Sequence, residues 1–257
     1  MLSPARIVSS EHIPEAAAAV LDNVRARSPR VHCVTNAVAQ NFSANMLLAA
    51  GAIPSMTIAA DEVAAFAARA DALLVNLGTF DPERRAAASV AIDAAAGAGR
   101  PWLLDPVFIE RSPPRTAFAR ALLARRPNAL RLNRPEFEAL ADGADLASFA
   151  RDADTVVGLT GATDTVLDGE RAVRIANGHP LMAKVTAMGC ATGALVGACL
   201  AVESDPWVAT AAGLLIIGVA GEIAAATARG PGSFAANVLD AVHALDGATL
   251  IARARVL

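Results

Sequence analysis

The stretch Val185-Thr186-Ala187-Met188-Gly189-Cys190-Ala191-Thr192-Gly193-Ala194 runs from a polar, glycine-containing turn straight into an unbroken series of small and apolar residues. That pattern reads as a loop opening a buried helix. The first amides of such a helix lack internal partners, and the helix dipole adds partial positive charge to them, so the turn is a candidate anion site. Cys190 lies in the same turn, and a helix start is expected to lower its thiol pKa. The alternative is a Gly-Cys pair that simply lets a helix pack tightly.

Outward from this turn, two apolar runs follow, Ala191 to Val202 and Trp207 to Gly221, separated by Glu203, Ser204, Asp205 and Pro206. Neither reaches the roughly 18 to 20 residues of a membrane span, so both are expected to be buried helices of a large core or of a subunit contact. The chain has 257 residues, of which 54% are hydrophobic, and 22 basic residues against 25 acidic ones give a net charge of −3. Without a long single-sign block, neither nucleic acid nor a membrane surface is an expected partner. Met1-Leu2-Ser3-Pro4-Ala5-Arg6 lacks the apolar core of a secretion signal. The three cysteines, Cys33, Cys190 and Cys199, are too few and too widely spaced for a disulfide framework or zinc site, which points to reduced cytoplasm.

Ahead of the turn, strand and helix patterns alternate. Helices are expected at residues 10 to 28, Asn41 to Gly51, Asp61 to Ala70, Pro82 to Ala98, Arg115 to Arg125 and from Pro135 to Ala141, with Asn41 or Ser43 capping the second and Gly51 ending it. Strands are expected at 30 to 36, 52 to 56, 72 to 79, 102 to 107, 128 to 133 and 155 to 161. Thr165 to Glu170 resembles a hairpin with an Asp-Gly turn, and a last helix runs to about Leu245. This alternation, with no composition shift or repeat, predicts one doubly wound α/β domain over residues 1–257, its central sheet mainly parallel and flanked by helices on both faces. Such folds bind ligands beyond the carboxyl ends of their strands, where Asn36, Asn76, Asp105, Asn133 and Thr160 fall.

Asp105 follows apolar residues and precedes Pro106, and a charge at a buried strand end must be paired, exposed or metal-bound. Glu136, just inside a helix, suits the helix dipole by itself. Together the two acids could hold Mg²⁺, which takes few carboxylates plus phosphate and water. Arg131 is either a buried ion-pair partner or a phosphate contact. Thr160-Gly161 could approach a nucleotide. The lone histidines His32 and His179 read as structural. Neither a P-loop nor a strand-borne Gly-x-Gly-x-x-Gly is present, so a phosphate site has to rest on the helix starting near Gly189.

Taken together, these pieces resemble the hydroxyethylthiazole kinases of the ribokinase-like fold from about residue 13 to 247. The resemblance rests on Val31-His32-Cys33-Val34-Thr35-Asn36, Asn41-Phe42-Ser43-Ala44-Asn45, Gly51-Ala52-Ile53-Pro54-Ser55-Met56, Asn76-Leu77-Gly78-Thr79 and Leu104-Asp105-Pro106-Val107. It continues through Asn177-Gly178-His179-Pro180-Leu181-Met182, Ala220-Gly221-Glu222 and Gly230-Pro231-Gly232-Ser233-Phe234. The resemblance implies ATP-dependent phosphorylation of the primary hydroxyl of 4-methyl-5-(2-hydroxyethyl)thiazole in thiamine salvage. It implies Cys190 facing that hydroxyl as catalytic residue, Asn36, Met56 and Ala187 at the thiazole, Arg131, Thr160 and Gly189 at ATP, and Asp105 and Glu136 near Mg²⁺. It also implies a homotrimer with sites between subunits. Two departures stand out. Ala187 and Met188 replace the usual Gly-Thr of Gly-Thr-Gly-Cys, and Leu132 replaces the glycine of the usual Arg-Gly-Asn-x-x-Glu. The alternatives they raise are a kinase for another small heterocyclic alcohol and a thiazole-binding protein without catalysis.

Overall fold

The computed structural model describes residues 12–257, so the N-terminal six residues and the start of the first predicted helix lie outside it. Within it, β1 (Arg30–Val34), β2 (Ile53–Ser55), β3 (Ala72–Asn76), β4 (Trp102–Asp105), β5 (Ala129–Asn133), β6 (Val156–Thr160), β7 (Asp164–Leu167) and β8 (Ala172–Ile175) form one sheet, ordered β2-β1-β3-β4-β5-β6-β7-β8. The first six strands pair in parallel, and β7 and β8 close the sheet antiparallel. The Asp-Gly turn joins those last two, with Gly169 left-handed at φ 96. β3 and β4 are buried at every position, as strands covered on both faces must be.

Two cores sit on the two faces. One face carries α1 (Ile13–Arg27), α2 (Gln40–Ala50), α8 (Met188–Leu200), α9 (Pro206–Thr227), α10 (Pro231–Ala244) and α11 (Gly247–Arg253). The other carries α3 (Val63–Arg69), α4 (Pro82–Gly97), α5 (Pro113–Leu123), α6 (Arg134–Ala141) and α7 (Leu146–Ala153). α8 and α9 are the centre of the first core. Their helices approach so closely that a Cβ on Gly213 would lie 2.7 Å from Val196.

Several expectations change. α2 begins without a side-chain cap; Asn41 lies on its outer face and Ser43 on its buried one, while Gly51 ends it at φ 94 as expected. α7 and α11 were not expected: each is a single short segment started by an aspartate cap, Asp145 or Asp246. α9 is longer than its apolar run. At 22 residues it is long and apolar enough to cross a membrane, but 83% of its most apolar window is buried inside the molecule, between α1, α8 and α10.

Candidate active site

Strand parity decides which polar residues meet. Leu74, Leu103, Ala129 and Val156 pack into the α8–α9 core, whereas Leu73, Leu104, Leu130 and Val157 pack into the opposite one. Alternation along each strand therefore turns Asn76, Asp105, Arg131 and Thr160 toward α8, all at or near the carboxyl ends of adjacent parallel strands. Asn36, just past β1, extends the row by one strand. Asn133 shares the parity but is spent as the cap of α6.

The side chains form a continuous hydrogen-bonded row that follows the sheet order. Asn36 Nδ2 donates to Cys190 Sγ at 3.2 Å and to Asn76 Oδ1 at 2.8 Å. Asn76 Nδ2 donates to Asp105 Oδ2 at 2.7 Å. Arg131 reaches Asp105 Oδ1 at 3.4 Å and the Thr160 hydroxyl at 3.0 Å, and that hydroxyl donates to the Leu132 carbonyl at 3.2 Å. Two backbone amides set the polarity of the row. Ala39 N–H occupies Asn36 Oδ1 at 2.9 Å, and Gly78 N–H occupies Asn76 Oδ1 at 3.0 Å. Both amide NH₂ groups must then face outward, one to the sulfur and one to the carboxylate.

Asp105 is fully buried. Burial pushes its carboxyl up to about 6 against the nearby Arg131 guanidinium, and the negative charge of Glu136 adds to the rise. Glu136 is held by its cap: Oε2 accepts from Asn133 N at 2.9 Å and Oε1 from Phe108 N at 2.9 Å. The helix-cap reading of Glu136 is seen directly, and its charge also bears on Asp105. Each of its oxygens accepts a single N–H and keeps a second acceptor position.

The start of α8 covers the row. A Cβ on Gly189 would lie 2.8 Å from the Arg131 guanidinium, so only glycine lets the helix seat there without moving the arginine. Ala187 caps the helix in the left-handed region at φ 66, a conformation that costs a non-glycine residue roughly 1 to 2 kcal/mol. The Cys190 thiol does not have the lowered pKa expected of a helix start. Burial, then the charge of Asp105, push it up to about 11, overriding the helix dipole and the Asn36 N–H. Met56 stands apart, half-buried just past the edge strand β2 and packed on the α8 side of the core. Asn41 and Asn45 are exposed, with Asn45 donating to Asn41, and do not join the row.

Beside the row lies a cavity of about 540 Å³. Arg131, Thr160, Asp164, Met188, Gly189 and Thr192 line it, together with residues of the segment from Asn177 to Ala183. Asp164 escaped the sequence reading, since nothing local distinguishes it from a turn acid. It accepts from Gly161 N at 2.8 Å, and burial pushes its carboxyl up to about 6. Both lone histidines make local contacts, and His179 also lines the cavity. His32 is fully buried with Nδ1 2.9 Å from Ser55 Oγ, and His179 Nδ1 accepts from Leu181 N at 3.2 Å.

A sheet of this order, with a buried acid–arginine pair and a helix start at its strand ends, has the architecture of the ribokinase-like fold. The same fold is seen in a ribokinase-like superfamily protein from Enterococcus faecalis, with a TM-score of 0.65 and 13% identity over 91% of this chain and 94% of that one. The profile of the hydroxyethylthiazole kinase family matches residues 21–247, and the chain belongs to that family. It is 43% identical to a probable hydroxyethylthiazole kinase from Agrobacterium fabrum, over 93% of this chain and 94% of the relative. It is 46% identical to a hydroxyethylthiazole kinase from Cereibacter sphaeroides, over 92% and 96%. The solved hydroxyethylthiazole kinase from Pyrococcus horikoshii superposes with a TM-score of 0.91 at 36% identity, covering 95% of this chain and 98% of that one.

Proposed function

We propose that the protein phosphorylates the primary hydroxyl of 4-methyl-5-(2-hydroxyethyl)thiazole with ATP, in thiamine salvage. The observation that carries this reading is the row Cys190–Asn36–Asn76–Asp105–Arg131–Thr160 running beside a nucleotide-sized cavity. ATP takes the cavity, with Arg131, Thr160 and the Gly189 amide at its phosphates. The thiazole alcohol takes the Cys190 end of the row, with Asn36, Met56 and Ala187 around it.

Asp105 and Glu136 would hold Mg²⁺. They suit it: both carboxyl groups are buried, the charge of Glu136 pushes the Asp105 carboxyl up, and both keep free acceptor positions. The cation supplies neutralisation of phosphate charge. The protein's own residues do the rest. Arg131 neutralises the transferring group, and the unpaired amides at the start of α8 receive developing oxyanion charge. Cys190 orients the hydroxyl. With its thiol pushed up to about 11, it is protonated at neutral pH and does not act as a strong base. Phosphoryl transfer tolerates this, because its loose transition state draws on positioning and charge neutralisation more than on deprotonation.

The whole chain works as one kinase domain in the cytoplasm, its three cysteines reduced. Three copies assemble around the β2 edge, where Ile53 and Phe66 are 51% and 42% exposed beside Met56. Incubation with ATP, Mg²⁺ and a panel including the thiazole alcohol and hydroxymethylpyrimidine tests the reading by product mass. Phosphorylated thiazole alcohol is the expected product. Transfer only to another alcohol reassigns the substrate, a shift that the altered Ala187-Met188 wall would explain. Thiazole binding without transfer makes the protein a binder.

A further inference from the structure

Two sequence segments remain without a role in this chemistry, Asn177-Gly178-His179-Pro180-Leu181-Met182 and Ala220-Gly221-Glu222, and they meet. Glu222 lies near the end of α9 with its side chain only 17% exposed. Its Oε1 gathers three donors: the Gly178 backbone N–H at 2.9 Å, Asn177 Nδ2 at 3.2 Å and the Arg255 guanidinium at 2.6 Å. Asn177, 5% exposed, is oriented from its other side, because Arg255 N–H donates to its Oδ1 at 2.6 Å and its Nδ2 also donates to the Arg253 carbonyl at 2.9 Å. The helix is shaped to receive the loop. A Cβ on Gly218 would lie 2.9 Å from Asn177, and one on Gly221 would lie 2.8 Å from Met182 Sδ.

The loop so held lines the same cavity as Arg131, Thr160 and Gly189. It leaves β8, the last strand of the sheet, so among the described residues no neighbouring strand on its far side secures it; the C-terminal segment pairs there, through Ile175 and Val256. A carboxylate that collects two donors from the loop and one from that C-terminal segment replaces the missing strand. We propose that Glu222 is a positioning residue for the nucleotide: through Asn177 and Gly178 it holds the 177–183 segment in place in the lining of the ATP cavity. The inference rests on the kinase reading above and assigns the 177–183 wall to the nucleotide rather than to the alcohol.

The test separates the two substrates. Glu222→Gln keeps the size of the side chain but removes the charge that gathers three donors. Its KM for ATP should rise about tenfold, a change of about 1.4 kcal/mol, near the lower end of what hydrogen bonds to a charged group contribute. Its kcat and its KM for the thiazole alcohol should stay within about twofold. Arg255→Ala, which removes only the exposed donor, should raise the KM for ATP by a smaller factor and keeps the test open if the first variant misfolds. Direct titration with ATP should reproduce both orders. A purely structural role predicts a lower melting temperature with the KM for ATP unmoved, or both KM values and kcat moving together; either result overturns the inference. An unsubstituted protein that neither binds ATP nor transfers phosphate overturns the kinase reading with it, whereas normal wild-type kinetics with an unmoved KM for ATP in both variants overturns this inference alone.

Discussion

At the scale of single residues, Cys190 and Ala187 work against ordinary preference. The sulfur accepts an N–H from Asn36 whose direction is set by the Ala39 amide, so the thiol hydrogen points away from Asn36. Removing the thiol should lower kcat without abolishing turnover. We expect Cys190→Ala to lose about ten- to a hundredfold in kcat, the scale of a slightly misplaced reacting hydroxyl, measured by steady-state kinetics at saturating ATP. Full activity would take Cys190 out of the reaction. Ala187 sits left-handed at φ 66, where glycine carries no steric penalty. Glycine's larger unfolded-state entropy offsets part of that relief, so Ala187→Gly should stabilise by about 0.5 kcal/mol in urea unfolding. His32 supplies a pH signature. Burial lowers its pKa from 6.5 to about 4, against the nearby Thr57 backbone and the charge of Glu62. The unfolded chain thus takes the proton first. Stability should be unaffected above pH 6.5 and should fall as pH drops from 6.5 toward 4, by roughly 3 kcal/mol in total. Urea melts of wild type and His32→Gln across that window should differ in slope; parallel curves would show that His32 is not the group responsible.

At the scale of elements, the junction of α8 with the strand ends controls the site. The helix can lie over Arg131 because residue 189 has no side chain, and over Asp105 because residue 193 has none, a Cβ there reaching 3.4 Å from Asp105 Oδ2. Gly189→Ala would push a methyl against the guanidinium, the movable end of a long side chain. The helix should therefore survive while the arginine moves off the phosphates. Expected are a melting temperature within a few degrees of wild type and kcat/KM for ATP lowered at least tenfold, near the loss of one charged hydrogen bond. A large stability loss with kinetics intact in the remaining folded protein would place the strain in the helix instead.

For the whole molecule, one sheet edge carries the consequence. β7 and β8 continue the sheet at one end, while β2, only three residues long, has no strand on its outer side among the described residues. If three copies share that edge, light scattering should give three times the 26.2 kDa chain mass. Ile53→Asp, on the open edge, should shift the mass toward the single chain and reduce turnover together, because Met56 lies just past the same strand. A monomeric wild type with full activity would remove the shared-site arrangement.

The alternation of elements, the parallel sheet and the strand-end positions of Asn36, Asn76, Asp105, Asn133 and Thr160 were legible in the chain, because hydrophobic period is a local property; that Arg131 joins the row while Asn133 caps α6 was not. The role of the Val185–Ala194 turn as a helix start over that sheet was legible too. Short elements escaped: α7 and α11 hold too few residues for a period to emerge, and tertiary packing rather than propensity keeps them. The length of α9 escaped because Ala and Thr continue a helix without extending an apolar run. Charge states belonged wholly to the tertiary structure. The local rule lowers a thiol at a helix start, but burial and the charge of Asp105, brought in from 85 residues away, reverse the direction at Cys190. The same holds for Glu222, which nothing near it in the chain explains. Its partners Asn177, Gly178 and Arg255 are more than thirty residues distant, and only folding brings them to one oxygen.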